Sequence, residues 1–253
     1  MAKKTVLITG VSKGIGRTIA EKLHSEGFYI FGGYKWRKDY REEETQANSL
    51  KKELKNLKLL PFDLGIRENT FKLTKEIGST KLSAIVNNAG EFIENDWLKF
   101  DYDSWDRVIE VNMVAPLVIA QELKNNLLAN AAIVSISSSD AFYAGFDDIA
   151  YSVSKAGLNN LTKSLAAMLV DKKIRVNAIA PGWVDTEMAE SADIDTLPHS
   201  KTFLNRNATT EEIAEVVSFL ISKKASFING AIISVDGGYS AIDYVVKKEH
   251  ENR

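Results

Sequence analysis

The fold of this chain is decided near its start by one stretch, Thr9-Gly10-Val11-Ser12-Lys13-Gly14-Ile15-Gly16. It follows a short apolar run at residues 6–9 and opens a segment with apolar residues at helical spacing. Glycine permits a tight turn and a close approach to a pyrophosphate, and the free N–H groups at a helix N-terminus favour an anion. The spacing Gly-x-x-x-Gly-x-Gly is related to the dinucleotide-binding fingerprint, with a glycine-rich turn that binds nothing as the alternative. We therefore expect a strand, a turn and a helix at a phosphate site.

Short β-like runs alternate with helix-length amphipathic runs along the rest of the chain. The candidate strands lie at residues 6–9, 29–32, 57–62, 84–87, 133–137, 175–180 and 231–235. This alternation predicts a parallel sheet with helices on both faces. Because no repeat, low-complexity segment or linker interrupts it, we predict one α/β domain over residues 1–253 with a polar tail at 241–253.

Three helices carry specific predictions. Residues 39–56 are highly charged and predict a solvated outer helix. Residues 104–129 predict a long helix that Pro116 kinks, because proline lacks the N–H that a helix interior requires. Thr209 and Glu212 have the spacing of a capping box and predict a helix start.

Composition argues against several classes of function. The net charge of −2 gives no reason to expect a nucleic acid or an anionic membrane as a partner. The chain has no cysteine and only three scattered histidines, so we expect no disulfide, thiolate chemistry or metal site. Its first apolar run is too short for a signal peptide or a membrane span, and we expect a cytoplasmic location.

Tyr151 and Lys155 form the most informative pair in the sequence. Positions four apart share one face of a helix, so the phenol and the ammonium project together. A nearby cation favours the phenolate and is expected to lower the tyrosine pKa, which suits a general acid/base. By itself such a pair is also common on solvated helix faces.

The pair stands within a longer series of motifs, and together they resemble the short-chain dehydrogenase/reductase family in its ~250-residue, single-domain form. The motifs occur in the family's order over nearly the whole chain: Thr9-Gly10…Gly14-Ile15-Gly16, Asp63-Leu64, Asn87-Asn88-Ala89-Gly90, Asn112, Ser137-Ser138, Tyr151…Lys155, Pro181-Gly182…Thr186 and Asp236-Gly237-Gly238. The general pattern is nearest to 3-oxoacyl-[acyl-carrier-protein] reductases. The resemblance implies a doubly wound, seven-stranded parallel sheet of the Rossmann type and a homotetramer or homodimer.

The resemblance also implies a catalytic set. Tyr151 is the expected acid/base, and Lys155 is expected to bind the nicotinamide ribose and to lower the tyrosine pKa. Among three adjacent serines, Ser138 has the family's distance from the tyrosine and is expected to polarise the carbonyl. Asn112 resembles the asparagine that supports a water relay to the lysine, with a buried structural amide as the alternative.

Other motif residues are expected to bind the cofactor, which carries the hydride chemistry. They are Gly10, Ser12, Lys13, Gly14, Ile15, Gly16, Arg37, Asp63, Leu64, Asn88, Ala89, Gly90, Pro181, Gly182, Val184 and Thr186, together with Tyr151 and Lys155. Asn87 is expected to brace the sheet instead.

Basic residues near the expected adenosine ribose predict NADP(H) as the preferred cofactor, with NAD(H) possible. Lys13 lies in the turn, and Lys35 and Arg37 follow the second strand, where no carboxylate would repel a 2′-phosphate. Of the last two, we expect Arg37 to make the direct contact. Asp39 is the residue that would favour NAD(H) if it reached the ribose.

The sequence leaves the substrate open. Residues 183–207 correspond to the family's substrate lid, and aromatic residues such as Trp97, Phe142 and Phe146 indicate a partly apolar pocket, with lid packing or subunit contacts as the alternative. A small free carbonyl or alcohol is the expected substrate, because the stretch before the fifth strand lacks the basic residues that dock an acidic carrier protein. A 3-oxoacyl-acyl-carrier-protein reductase is the alternative. A catalytically silent dinucleotide sensor and an epimerase or dehydratase of the longer relatives are less favoured.

Overall fold

The structure is a computed structural model, and it describes residues 4–38, 41–187, 202–241, 243 and 250. One sheet of seven strands forms the centre, in the order β3-β2-β1-β4-β5-β6-β7, with every neighbouring pair parallel. The strands are β1 (Thr5–Thr9), β2 (Tyr29–Tyr34), β3 (Leu57–Pro61), β4 (Leu82–Asn87), β5 (Leu127–Ile136), β6 (Arg175–Pro181) and β7 (Ile232–Val235). All seven predicted strands are confirmed, as is the doubly wound Rossmann-type sheet in a single domain.

Helices cover both faces of the sheet. In the part of the chain described, they are α1 (Gly14–Ser25), α2 (Glu42–Glu53), α3 (Arg67–Ile77), α4 (Tyr102–Ile109), α5 (Ala115–Leu123), α6 (Ile149–Met168) and α7 (Thr210–Ile221). Side chains alternate along each strand, so Val6 and Ile8 pack on one face with α1 and α7. Leu7, between them, packs on the other face with α3, α5 and α6. Two buried apolar layers therefore hold the sheet rigid from both sides.

The strand order determines where on the sheet a ligand crevice forms. β1 lies between β2 and β4, so the chain leaves β1 in one direction and, after β3, crosses over β1 to form β4. In open parallel sheets, ligands bind at the carboxyl ends of the strands where the order reverses in this way. The predicted phosphate turn follows β1 at this point.

The predicted long helix at residues 104–129 is wrong in two respects. The segment is broken by a π-helical turn, Glu110–Val114, between α4 and α5, and Pro116 lies in the first turn of α5, where its missing N–H is tolerated. The helix also ends at Leu123 rather than residue 129, because Leu127 pairs with Leu82 and begins β5. Sheet pairing overrides the helical tendency of the alanine-rich stretch.

Two smaller predictions are confirmed. Thr209 and Glu212 form the reciprocal capping box at the start of α7. The charged outer helix forms as α2, although it spans Glu42–Glu53 and is shorter than expected. Among the residues described, no helix has the length and apolar character needed to cross a membrane.

Candidate active site

The turn between β1 and α1 has the geometry of a phosphate cradle. Gly10 adopts a φ of +74°, and a Cβ on Gly16 would lie 1.9 Å from the carbonyl oxygen of Gly10, so both positions require glycine. Lys13 precedes α1 without a side-chain cap, and the first turn of α1 carries no acidic residue. Among the residues that the structure describes, no side chain caps the first N–H groups of the helix, which leaves them available to an anionic ligand in the crevice.

Asn88 ties this turn to the end of β4. Its Nδ2 donates to the carbonyl oxygens of Thr9 and Gly10 at 3.0 and 2.9 Å. The Thr9 hydroxyl in turn accepts from the backbone N–H groups of Asn88 and Ala89. Asn87 donates to the Ser135 hydroxyl at 3.2 Å and braces β4 against β5, as the sequence predicted. Asn88 thus lines the crevice and also holds it open.

The crevice is a cleft of about 700 Å³, a size suited to a ligand of cofactor dimensions. The sequence-predicted residues that line it are Gly10, Ser12, Lys13, Gly14, Ile15, Gly16, Asp63, Leu64, Asn88, Ala89, Gly90, Ser138, Tyr151, Lys155, Pro181, Gly182, Val184 and Thr186. Arg37 and Asn112 are the predicted residues that do not line it. The uncapped turn and the elongated cleft beside it fit a bound dinucleotide.

Tyr151 and Lys155 lie one turn apart on α6, as predicted. The Lys155 Nζ is 5.4 Å from the centre of the Tyr151 ring and donates to the carbonyl oxygen of Ile136 at 2.8 Å. Gly90 lies beside this ammonium, since a Cβ at that position would be in ordinary van der Waals contact with the Nζ at 3.5 Å. Burial lowers the pKa of Lys155 to about 8.

The expected lowering of the Tyr151 pKa is wrong for this structure. Burial raises the pKa of the phenol, the negative charge of Asp140 raises it further, and the Ser138 hydroxyl opposes the shift only in part. Desolvation is the largest cause and disfavours the phenolate, and burial also drives the neighbouring lysine towards its neutral form. The phenol is therefore held as a proton donor.

Ser138 is the serine that faces the phenol, in agreement with the prediction. Its hydroxyl donates to the Asp140 Oδ2 at 3.1 Å and accepts from the Asp140 backbone N–H at 3.1 Å. Ser137 instead donates to the carbonyl oxygen of Lys155, and Ser139 lies next to the other oxygen of Asp140. Sequence reasoning missed Asp140, and the available signal was an acidic residue two positions after the candidate serine.

Asn112 lies in the π-helical turn and is buried. Its Oδ1 accepts from the Glu91 N–H at 2.8 Å, and its Nδ2 donates to the Glu91 carbonyl oxygen and the Ser154 hydroxyl. These contacts fit the structural alternative, in which the amide holds the loop after Gly90 against α6. A relay through Asn112 to Lys155 stays a prediction.

A network of opposite charges lies at the end of the cleft near β2. Arg37 pairs with Asp63 at 2.7 Å, and Lys35 pairs with Glu91 at 3.0 Å. Arg107, on α4, joins both acids at 3.0 and 2.8 Å. Burial opposes ionisation of Asp63, but the hydrogen bonds from Arg107 and Arg37 outweigh it and lower its pKa. Each cation is thus held in place by a carboxylate.

This network corrects the order expected for the two basic residues after β2. Lys35 lines the cleft, whereas Arg37 is turned towards Asp63. A further difference from the sequence prediction is Glu43 on α2, which lines the cleft and whose carboxylate lies 3.4 Å from the Ser12 hydroxyl. Burial raises the pKa of Glu43, while the charges of Lys35 and Lys13 oppose the shift. Sequence reasoning expected no carboxylate here, because Glu43 is supplied by a helix and not by the strand end.

The candidate lid is only partly described. Val184 pairs with Ala208, and Lys13 makes an ion pair with Glu187 at 2.8 Å, which joins the start of the lid to the phosphate turn. Residues 188–201 and Asp39 lie outside the described residues. Within the described ranges, no group of three or more acidic or histidine side chains is placed to hold a metal ion.

Known proteins are similar to this chain over nearly its whole length. Residues 10–240 match the family model described as enoyl-(acyl carrier protein) reductase. The chain is 34% identical over 242 residues to the 3-oxoacyl-[acyl-carrier-protein] reductase FabG of Aquifex aeolicus, covering 93% of this chain and 96% of that protein. It is 32% identical over 250 residues to human L-xylulose reductase, covering 95% and 98%.

Solved structures agree. The structure of BdcA in complex with NADPH matches with a TM-score of 0.85 and 27% identity, covering 92% of this chain and 93% of that one. The family-model match at residues 10–240 includes the glycines of the phosphate turn, strands β2 to β7 and the Tyr151–Lys155 pair. The chain therefore belongs to the short-chain dehydrogenase/reductase family, the NAD(P)-dependent oxidoreductases that act on carbonyl and alcohol groups.

Proposed function

We propose that the chain is an NADP(H)-dependent reductase of small free carbonyl compounds, which runs in reverse as a dehydrogenase of secondary alcohols. The observation that carries this proposal is the meeting of Ser138, Tyr151 and Lys155 at one cleft whose other end is the uncapped phosphate turn. A catalytically silent sensor has no use for a buried phenol beside a buried ammonium, since burying both groups has an energetic cost.

The proposed roles follow from the contacts. A bound reduced dinucleotide supplies the hydride to the carbonyl carbon. The Ser138 hydroxyl holds the carbonyl oxygen, and Tyr151 donates the proton that this oxygen takes up. Because the pKa of Tyr151 is raised, the phenol is protonated at neutral pH, which suits the reducing direction. Lys155 is assigned to the nicotinamide ribose, and Asn112 to bracing the loop beside it.

The residues around the turn and the strand ends are assigned to cofactor binding. Gly10, Ser12, Gly14, Ile15 and Gly16 surround the pyrophosphate. The adenosine and nicotinamide halves are assigned to the remaining residues of the cleft wall, namely Lys13, Asp63, Leu64, Asn88, Ala89, Gly90, Pro181, Gly182, Val184 and Thr186.

NADP(H) is the proposed preference. Lys13 and Lys35 line the expected adenosine end, and paired basic groups recognise a 2′-phosphate strongly. The structure of the relative BdcA contains NADPH, which supports a preference for NADP(H) in this chain. Glu43 opposes it, because an ionised carboxylate at that end repels a phosphate. The raised pKa of Glu43 weakens that opposition.

A free carbonyl substrate is favoured over a carrier-bound one. The first half of β5 exposes Leu128-Ala129-Asn130, none of which is a cation, and Lys172, whose Nζ lies 2.6 Å from the Asn125 Oδ1, provides only part of the basic surface that would attract an acidic carrier protein. The alternative, a 3-oxoacyl-[acyl-carrier-protein] reductase, draws support from the name of the Aquifex relative. Comparing kcat/KM for a carrier-bound β-ketoacyl chain and its free thioester decides between them, and a strong preference for the carrier would overturn the first choice.

Three further assignments complete the proposal. Residues 183–207 act as the substrate lid, the chain forms a homodimer or homotetramer, and the protein is located in the cytoplasm. Light scattering after size-exclusion chromatography tests the assembly.

A spectrophotometric assay tests the function itself. Ketones, β-ketoacyl esters, quinones, sugars and steroids are offered with NADPH and with NADH, and cofactor oxidation is followed. We expect steady oxidation that depends on the carbonyl compound. Cofactor binding without turnover on any class would favour the sensor instead.

A further inference from the structure

The two ends of the cleft differ in how their acidic residues are neutralised. At the β2 end, Asp63, Glu91 and Glu187 each pair with a lysine or arginine, and the charges of Lys35 and Lys13 act on the fourth acid, Glu43. At the catalytic end, Asp140 and Glu94 line the cleft, and neither makes an ion pair with any lysine or arginine in the part of the chain that the structure describes. The charge of Asp140 also acts on the buried ammonium of Lys155, so among the described residues that line this end two carboxylates face one cation, and the catalytic end keeps a net negative charge.

Neighbouring carboxylates increase this charge. Asp148 is the residue immediately before α6. Burial is the largest cause that raises its pKa, and the negative charges of Asp140, Asp147 and Glu94 raise it further. The loop at Glu94 is held beside these residues, because the Asn95 N–H donates to the carbonyl oxygen of Asp147 at 2.8 Å. The charges of Asp140, Asp147 and Glu94 thus oppose the ionisation of Asp148, and a cation beside Asp140 and Glu94, the two that line the cleft, would relieve this repulsion.

Aromatic side chains lie at the same end of the cleft, two of them in its wall. Phe92 lines the cleft and packs edge-on against Tyr151, with the ring centres 5.3 Å apart, and Trp183 also lines the cleft. Tyr143 and Tyr239 form a second edge-on pair 6.0 Å apart, and the charge of Asp140 acts on Tyr239. Aromatic faces attract cations, and together with a carboxylate they form the usual surroundings of an ammonium group.

Asp140 is the carboxylate nearest to the chemistry. Its Oδ2 is 3.1 Å from the hydroxyl of Ser138, the group assigned to hold the carbonyl oxygen. A cation that meets Asp140 must therefore be separated from the reacting carbon by only one or two atoms of the substrate. The Ser138 hydroxyl donates to Asp140 in this structure, and a cation that takes over this carboxylate leaves the hydroxyl free to donate to the carbonyl.

We propose that the substrate is an α- or β-amino carbonyl compound, or the corresponding amino alcohol, whose cationic nitrogen is bound by Asp140 and the aromatic side chains around it. This inference rests on the proposed oxidoreductase function and names the substrate class of the same site. Asp140 acts as a specificity-determining residue, and Glu94, Asp147 and Asp148 strengthen the field that attracts the cation.

The test uses two ketones of the same shape that differ in charge. Trimethyl(2-oxopropyl)ammonium carries a permanent positive charge, and 4,4-dimethylpentan-2-one replaces its nitrogen with carbon. For the unmodified protein we expect kcat/KM to be at least tenfold higher for the ammonium ketone. Asp140→Asn should bring the ratio close to one, and Asp140→Glu should retain part of it. Asp171→Asn removes an equal charge after α6, at the opposite edge of the sheet, and should leave the ratio unchanged.

A binding measurement separates the two levels of the proposal. With the protein saturated in oxidised cofactor the ammonium ketone cannot react, so calorimetric titration reports its affinity alone. We expect Asp140→Asn to weaken this affinity at least tenfold. Turnover of ketones without a preference for charge, or equal losses for both ketones in Asp140→Asn, would overturn the inference and leave the oxidoreductase function intact. Tight, Asp140-dependent binding without turnover of any carbonyl or alcohol would instead count against the oxidoreductase function.

Discussion

Tyr151 is the residue on which the proposed chemistry depends most directly. Replacing it with phenylalanine removes the hydroxyl that donates the proton but little volume, so the packing against Phe92 survives. We expect Tyr151→Phe to lose nearly all turnover while its Kd for the cofactor stays close to that of the unmodified protein. Turnover within about tenfold, a change of only ~1.4 kcal/mol in the barrier, would remove Tyr151 from the acid/base role.

A second prediction for a single residue concerns Lys155 and the pH dependence of the free energy of unfolding. Burial lowers its pKa from 10.5 to about 8 in the folded chain. Below pH 8 both folded and unfolded chains carry the charge, and the full cost of burying it is present. Between pH 8 and pH 10.5 the unfolded chain binds more protons, so this lysine makes the free energy of unfolding rise with pH.

The measurement compares urea unfolding of the unmodified protein and Lys155→Met from pH 7 to pH 10. We expect the stability of the unmodified protein relative to the variant to rise with pH, by up to roughly 3 kcal/mol over the whole window. Lys163→Met, an exposed position on the same helix, serves as the control and should show no such trend. A difference that stays flat with pH would mean that Lys155 is not held in a desolvated site.

At the scale of elements, the phosphate turn is the feature that tolerates least change. A Cβ on Gly16 would meet the carbonyl oxygen of Gly10 at 1.9 Å and the Asn88 amide at 2.3 Å. The first contact is with backbone, so the turn itself must move. We expect Gly16→Ala to weaken NADPH binding more than tenfold in a fluorescence titration, whereas Ser25→Ala at the far end of α1 should not. Equal affinities would show that the cradle is not formed by this close approach.

The elements themselves were largely predictable from sequence, for local reasons. Strands such as β1 and β4 are short apolar runs bounded by glycine or polar residues, and the capping box at Thr209 depends on contacts within a single turn. The start of β5 was not predictable, because Leu127 and the alanines after it suit a helix as well as a strand. Pairing with Leu82, 45 positions earlier in the chain, decides between them. The π-helical turn around Asn112 likewise depends on a contact with the loop after Gly90.

At the scale of the whole molecule, the parts of the site that sequence reasoning found are those attached to the ends of strands or to one helix face. Ser138 follows β5, and Tyr151 and Lys155 share α6, so their meeting follows from the topology. The charges that sequence reasoning missed come from elsewhere. Arg107 reaches Asp63 from α4, and Glu43 reaches Ser12 from α2. Such meetings depend on how the helices pack against the sheet, which local patterns do not specify.

The balance of these charges yields the prediction for cofactor preference. Lys35 lines the cleft and Arg37 does not, so Lys35→Ala should cost more of the kcat/KM for NADPH than Arg37→Ala does. Charge-assisted contacts to a phosphate are worth about 1.5–3 kcal/mol, so the loss for Lys35→Ala should be about ten- to a hundredfold with NADH nearly unaffected. Lys13→Ala should behave in the same way as Lys35→Ala.

Glu43→Gln should act in the opposite direction. It removes a carboxylate that repels the 2′-phosphate and keeps its shape, so the ratio of kcat/KM for NADPH over NADH should rise several-fold. Because burial raises the pKa of Glu43, acidification protonates this group early. The ratio in the unmodified protein should therefore increase as the pH falls towards 5, and in Glu43→Gln this dependence should be much weaker. A ratio that is equal in the two proteins at every pH would show that Glu43 does not face the phosphate, and no selective loss in Lys35→Ala or Lys13→Ala would withdraw the preference for NADP(H).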